Sequence, residues 1–322
     1  MLTKKILTVG EPMGLFIAEE EGPLEDVRHF FTSVAGAEFN VAVGLSRLGF
    51  AVGYLTKLGE DPFGRQIIKT MRKNGIDTTL TTTTTQQATG YMLKGKSSVG
   101  DPDIYYYRKN SAASTLSPGD LGEIDLSQWD AIHLTGILPA TSSTAREATT
   151  YLMQQARKAG VPIFFDPNLR PQLWPSREEM VSAINRLASM ADYVLPGESE
   201  GEVLCGSRDP KIIGEFYRNL GVKTVIVKTG PQGAYTVQGE GAFHTPAYTP
   251  GKIVDTVGAG DGFAVGIISG VMENLPLPEA VRRANAIGAI QLMHASDNEG
   301  LPTREELTRF MAEHKQKEDE SW

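Results

Sequence analysis

The feature that most constrains this chain is a rhythm, in which short apolar runs bounded by turn residues alternate with amphipathic stretches of helical length. The runs cover 6–10, 52–58, 131–134, 161–166, 193–195 and 224–228, and the amphipathic stretches cover 38–48, 61–74, 144–159, 176–190 and 210–220. A strand that is apolar on both faces must be covered on both, and a helix between successive strands supplies the cover. The pattern predicts an α/β fold, a mostly parallel central sheet flanked by helices on both faces. Boundary residues agree with it. Asp61-Pro62 and Asp209-Pro210 each offer a capping carboxylate followed by proline at the first helical position. Ser176 with Glu179, and Thr303 with Glu306, have capping-box spacing, and Gly49, Gly75, Gly160 and Gly221 fall where helices should stop.

Two stretches, 15–31 and 78–108, break the rhythm. They lack helical periodicity and are rich in Thr, Tyr and Phe, with a threonine run at 81–85. They predict a small β-sheet lid, formed by about 11–34 and 78–114 and inserted in a single domain spanning 1–322. The two-residue repeat puts Ile104, Tyr106 and Arg108 on one face of a lid strand, with Tyr91 on a neighbouring strand. No repeat of 20 to 50 residues is evident, and the charged tail 313–322 is expected to fray.

Composition excludes several classes of function. With 31 Lys plus Arg against 39 Asp plus Glu the formal charge is −8, and no basic block offsets it, so nucleic acid is not an expected partner. Cys205 is the only cysteine, which precludes an intramolecular disulfide and fits a reducing compartment. The apolar stretch at 6–10 is too short for a signal-peptide core and nothing approaches a membrane span, so a cytoplasmic protein with no membrane partner is expected.

Three segments imitate or carry chemistry. Gly90, Gly95, Lys96 and Ser97 match the P-loop pattern, but the turn-forming residues 98–103 follow where a helix is required, so it is rejected. Gly197, Ser199 and Gly201 match a nucleophile elbow, with Asp255 and His294 downstream in hydrolase order, yet Pro196 interrupts the strand-to-turn junction. A Ser199 esterase is the rival reading from another class. The informative segment is 255–266, DTVGAGDGFAVG, which opens a helix of small residues. Glycines 258, 260 and 262 let main-chain amides converge at a helix N-terminus, where unpaired N–H groups and the macrodipole favour an anion. Asp261 stands beside that anion site, a poor anion ligand but a good proton acceptor for a hydroxyl attacking phosphorus. Gly266 and Gly270 fit close packing against the small residues Ala280, Ala284, Ala286, Gly288 and Ala289.

The segment 255–261, together with AGAEFNVA at 35–42, Leu48-Gly49 and KLGEDPFG at 57–64, resembles the two signatures of the ribokinase family of sugar kinases, the phosphofructokinase B type, in order and separation. The resemblance extends over nearly the whole chain. It implies one ribokinase-like kinase domain with a β lid over the sugar, with ATP and Mg²⁺ as cofactors and monovalent-cation dependence left open. It also assigns roles: Asp261 as base, the amides of Gly258, Ala259 and Gly260 as anion hole, Gly36 and Asn40 on the sugar, and Lys228, Gly230 and Gly233 in the nucleotide loop. Asn285 would border adenine, Asn168 the phosphates, and Glu200 the hydrated metal. The family often has Asn three residues before that glutamate, where Gly197 stands here. Within the family, the segments 105–114 and 166–174 are most similar to those of the 2-keto-3-deoxygluconate kinases. This likeness implies a sugar-acid substrate held by Tyr91, Tyr106, Arg108 and Arg170, arginine presenting a planar fork to a carboxylate. Fructokinases carry a run like that at Arg170, so a fructokinase or ribokinase acting on a neutral sugar is the alternative. Kinases with such a lid pair through its outer face, so a homo-oligomer is expected by analogy.

Overall fold

A computed structural model of the chain describes residues 3–97, 103–122, 124–294 and 298–316. Among these residues the strands are β1 (Lys5–Val9), β2 (Met13–Ala18), β3 (Phe30–Ala35), β4 (Ala51–Gly59), β5 (Thr81–Thr84), β6 (Tyr91–Lys94), β7 (Ile104–Tyr107), β8 (Ala131–Thr135), β9 (Ile163–Asp166), β10 (Tyr193–Val194), β11 (Thr224–Lys228), β12 (Gly233–Gln238) and β13 (Gly241–Pro246). The helices are α1 (Ala37–Arg47), α2 (Pro62–Lys73), α3 (Leu138–Thr141), α4 (Ser143–Ala159), α5 (Arg177–Ala188), α6 (Glu198–Cys205), α7 (Pro210–Asn219), α8 (Ala259–Met272), α9 (Leu277–Gln291) and α10 (Arg304–Glu313). The helix ends follow local chemistry. Asp61 accepts from the Gly64 N–H, Ser176 from Glu179 and Thr303 from Glu306, each satisfying a donor the helix cannot. Gly160 closes α4 with φ 70°.

The large sheet has the order β13-β12-β11-β10-β9-β8-β1-β4-β5 and is parallel except at the β11-β12-β13 edge. One face packs Ile6, Val52, Tyr54, Phe164 and Ile226 against α1, α2, α8, α9 and α10; the other packs Leu7, Val9, Leu55, Ile132, Phe165 and Val225 against α4, α5 and α7. From β1 the chain proceeds outward to β4 on one side, and on the other β1 pairs with β8. Strand order therefore reverses at β1, and the crevice at the carboxyl ends of β1 and β8 is where an open α/β sheet binds its ligands.

The lid is a second sheet, β3-β2-β6-β7. It departs from expectation in two respects. The threonine run, expected in the lid, is β5, which pairs parallel with β4 at the edge of the large sheet. The end of the expected lid segment, 113–114, likewise leaves it, and Ala113 is buried in the core under α4. High β propensity marks a strand but does not say which sheet it joins. The β12–β13 hairpin has no counterpart in the expected elements. Residues 98–102 and 317–322, which bear on the rejected P-loop and on the tail, lie outside the described residues.

Candidate active site

A cavity of about 740 Å³ lies at the strand reversal, between the carboxyl ends of the parallel strands and the lid. Its floor comes from strand ends: Glu11 after β1, Asp166 at the end of β9, and Lys228 at the end of β11. The lid contributes Met92, Lys94, Ile104, Tyr106 and Arg108. The N-terminal turns of α1, α6 and α8 close the sides with Gly36, Asn40, Glu200, Gly258, Gly260 and Asp261.

The start of α8 is built as the sequence predicts. Gly258 takes a left-handed conformation (φ 80°) as N-cap, and the first intrahelical bond of α8 runs from the Gly262 N–H to the Gly258 carbonyl at 2.9 Å. The N–H groups of Ala259, Gly260 and Asp261 consequently have no intrahelical acceptor and are available to an anion. Asp261 is ringed by protein yet reached from the cavity, and its Oδ2 accepts from the Asn40 side chain at 2.7 Å. Burial pushes its pKa up to about 7, against the Asn40 hydrogen bond, which lowers it; the Asp166 charge raises it further. A carboxyl group poised near neutrality suits proton abstraction at working pH.

Lys228 is the cation beside the start of α8. Its Nζ donates to Asp166 Oδ2 at 2.7 Å, and a Cβ built on Gly260 would lie 3.9 Å from it. Burial depresses its pKa, but the charges of Asp166 and Glu200 more than offset this and hold it above the ordinary value. Glu200 accepts the Leu169 N–H at 3.0 Å and the Gly197 N–H at 2.7 Å, one on each oxygen. Asp166 and Glu200 fit a hydrated Mg²⁺, which takes one or two carboxylates alongside phosphate oxygens. With both Glu200 oxygens engaged by main-chain donors, contact through water suits it better than direct ligation.

Toward the lid, Arg108 forms a buried pair with Glu11, Nε and NH2 donating to Oε2 at 2.8 and 2.5 Å. Arg170 is anchored by its NH1 to the Leu169 carbonyl at 2.8 Å and also lines the cavity, as does Asn168. Glu38 lies over the bare Cα of Gly10 and accepts from Thr135; its other oxygen has no hydrogen-bond partner among the described residues, and burial raises its pKa.

Several expected site residues lie elsewhere. Tyr91 is on the opposite face of the lid, stacked on Tyr107 with ring centroids 4.7 Å apart and on Phe63 at 5.7 Å. Met92, its neighbour in β6, lines the cavity instead. Asn285 donates to the Thr245 and Pro246 carbonyls at 3.0 Å, tying α9 to β13 outside the cavity lining. Gly230 and Gly233 flank the turn after Lys228 and also fall outside the lining. Ser199 lines the cavity, but no hydrogen bond joins it to a histidine among the described residues, His294 is exposed, and Asp255 is paired with Lys94 at 2.8 Å. The hydrolase triad is not assembled. Glu11, Lys94 and Asp166 were not among the expected site residues; Glu11 and Asp166 stand at carboxyl ends of parallel strands, a position that could have marked them.

Similarity to known proteins extends over most of the chain. Residues 3–304 match the model of the pfkB family carbohydrate kinases. The chain belongs to that family. A 2-dehydro-3-deoxygluconokinase of Bacillus subtilis (strain 168) is 44% identical over 307 residues, 95% of each chain. The crystal structure of a PfkB protein from Polaromonas sp. JS666 superimposes with a TM-score of 0.87 at 43% identity, covering 95% of this chain and 99% of that one. A putative ribokinase II from E. coli in complex with ATP and Mg²⁺ gives 0.86 at 27% identity, covering 97% and 100%. As a pfkB-family carbohydrate kinase the protein has a ribokinase-like fold. No helix among the described residues is long and apolar enough to cross a membrane.

Proposed function

We propose that this kinase transfers the γ-phosphoryl group of ATP to the terminal hydroxyl of 2-keto-3-deoxygluconate, giving 2-keto-3-deoxy-6-phosphogluconate and ADP. The observation that carries the reading is the cavity's polarity: an anion hole with Asp261 and Lys228 at one end, and Arg108 with Arg170 toward a lid lined by Tyr106. The identity to a 2-dehydro-3-deoxygluconokinase, the same sugar acid under another name, supports it. Asp261 takes the hydroxyl proton as the hydroxyl oxygen forms its bond to phosphorus and the bond to the ADP oxygen breaks. The amides at the start of α8 and Lys228 Nζ offset the charge on the transferring oxygens. Mg²⁺, where bound, neutralises the nucleotide phosphates beside Asp166 and Glu200. Tyr106 and the other lid residues cover the sugar and exclude water, which would otherwise compete as acceptor.

ADP release measured with 2-keto-3-deoxygluconate, fructose and ribose tests the reading, the sugar acid being expected to give the highest kcat/KM. Arg108→Ala should raise KM for the acid about 10- to 100-fold, the worth of charge-assisted hydrogen bonds, with a much smaller effect on neutral sugars. Preference for fructose or ribose would make the protein a neutral-sugar kinase. A homo-oligomer paired through the lid is part of the proposal, supported by the exposure of Phe31, Tyr105 and Tyr107 there. Light scattering of Tyr105→Lys/Tyr107→Lys should then report a smaller species than wild type. Cytoplasmic residence follows from the need for ATP.

A further inference from the structure

Four chain crossings join the lid to the large sheet, at 10–12, 35–36, 85–90 and 108–112, and all of them meet at Glu11. Its carboxylate accepts from Arg108 and from Ser111 Oγ, the latter at 2.5 Å. A Cβ on Gly90 would come within 2.7 Å of its Oε1, and one on Gly36 within 3.0 Å of its carbonyl oxygen. Glu11 is 1% exposed and Arg108 5%. An ion pair this deep persists only where geometry and further hydrogen bonds compensate the lost hydration, and Ser111 supplies one such bond.

We infer that Glu11 is a positioning residue for substrate recognition: it holds Arg108 by the Nε–NH2 edge so that the guanidinium offers its other edge to the substrate carboxylate. The inference rests on the sugar-acid reading above. Guanidinium has two forks suited to carboxylates, one formed by Nε and NH2, the other by NH1 and NH2. Glu11 occupies the first with a single oxygen. NH1 has no protein partner among the described residues, and Arg108 lines the cavity. Because Glu11 and Arg108 cancel in charge, the incoming acid meets directed N–H donors in place of a free cation. Selectivity then depends on orientation, and the residue that sets orientation also sits where the segments that carry the lid meet. Without its carboxylate the arginine keeps its charge but loses its fixed direction.

Calorimetric binding of 2-keto-3-deoxygluconate and of its uncharged methyl ester separates the alternatives. Glu11→Ala should weaken binding of the acid about 10- to 100-fold and that of the ester less than threefold, with KM rising far more than kcat falls. Glu11→Gln keeps an acceptor on the same edge and should restore acid binding to within about threefold of wild type. Ser111→Ala, which loosens the same carboxylate without stranding a charge, should weaken acid binding two- to fivefold, and it decides the matter should Glu11→Ala fail to fold. Adding Glu11→Ala to Arg108→Ala should produce no further loss. Acid and ester affinities falling in parallel in the Glu11 or Ser111 variants would overturn the inference. Should Arg108→Ala itself leave acid binding intact, the sugar-acid reading fails first; if only the Arg108 variant weakens it, that reading stands and the role of Glu11 falls.

Discussion

Asp261→Asn is expected to lower kcat about 10³-fold while nucleotide binding stays within a fewfold of wild type. The substitution keeps the shape beside the anion hole and the contact with Asn40 but removes the proton acceptor, and general-base contributions are typically about 10²- to 10⁴-fold. Single-turnover phosphoryl transfer together with ADP binding separates the two effects; transfer at the wild-type rate would exclude Asp261 as base. Its pKa adds a direction. Burial raises the carboxyl from its ordinary value to about 7, so kcat/KM of the wild type should fall below neutrality as the base becomes protonated. Asn40 lowers that pKa through its hydrogen bond, and Asn40→Ala should move the acidic limb to higher pH. The same shift bears on stability. The folded state binds the proton more tightly than the unfolded chain, so the group's favourable contribution, full below the unfolded pKa, is lost as pH rises toward about 7. Asp261→Asn should therefore have a higher Tm than wild type at pH 8, the gap closing at acid pH.

The second large effect is structural. Gly266→Ala is expected to destabilise the protein by about 2–3 kcal/mol although alanine favours helix over glycine by about 1 kcal/mol. A Cβ at this position would stand 2.2 Å from Ala284 Cα and 2.5 Å from its N, backbone atoms that cannot rotate aside. Moving α9 is the alternative, and α8 has no room on its other flank, where Val265 Cγ2 would lie 2.6 Å from a Cβ on Gly44 of α1. A displaced α8 carries Asp261 and the anion hole with it, so kcat should fall as Tm does. Thermal melts of Gly266→Ala beside Gly122→Ala check this. Gly122 has φ −62°, and nothing among the described residues lies nearer to its added Cβ than 3.8 Å, so that variant should stay within about 0.5 kcal/mol of wild type. Equal melting temperatures for the two would refute the packing argument.

Much of this site was legible because its chemistry is local. Gly258 to Asp261 announce an anion site by residue type and order alone: exposed amides at a helix start depend only on a few consecutive backbone angles. The parallel strands and their helices were legible for a similar reason, since period and capping are short-range properties. Tyr91 shows the limit. Alternation says that Tyr91 and Met92 face opposite ways, but which face meets the cavity depends on where α2 places Phe63. Asn285 shows another: its amide was available to a ligand in sequence and is engaged by two carbonyls of β13 in the fold. The threonines of β5 carried a strand signal and no address.

Sequence by itself determined the class of fold, the family and the glycine-rich helix start that carries Asp261, because each is written in neighbouring residues through backbone geometry and hydrophobic period. Tertiary structure alone decided the lid end of the cavity, where Arg108 meets a carboxylate 97 residues away in the chain. Burial then fixed how these groups behave: Asp261 becomes a carboxyl group that titrates near neutrality and Glu11 with Arg108 a matched pair only because the fold removes them from water, and no run of adjacent residues encodes that loss of solvent.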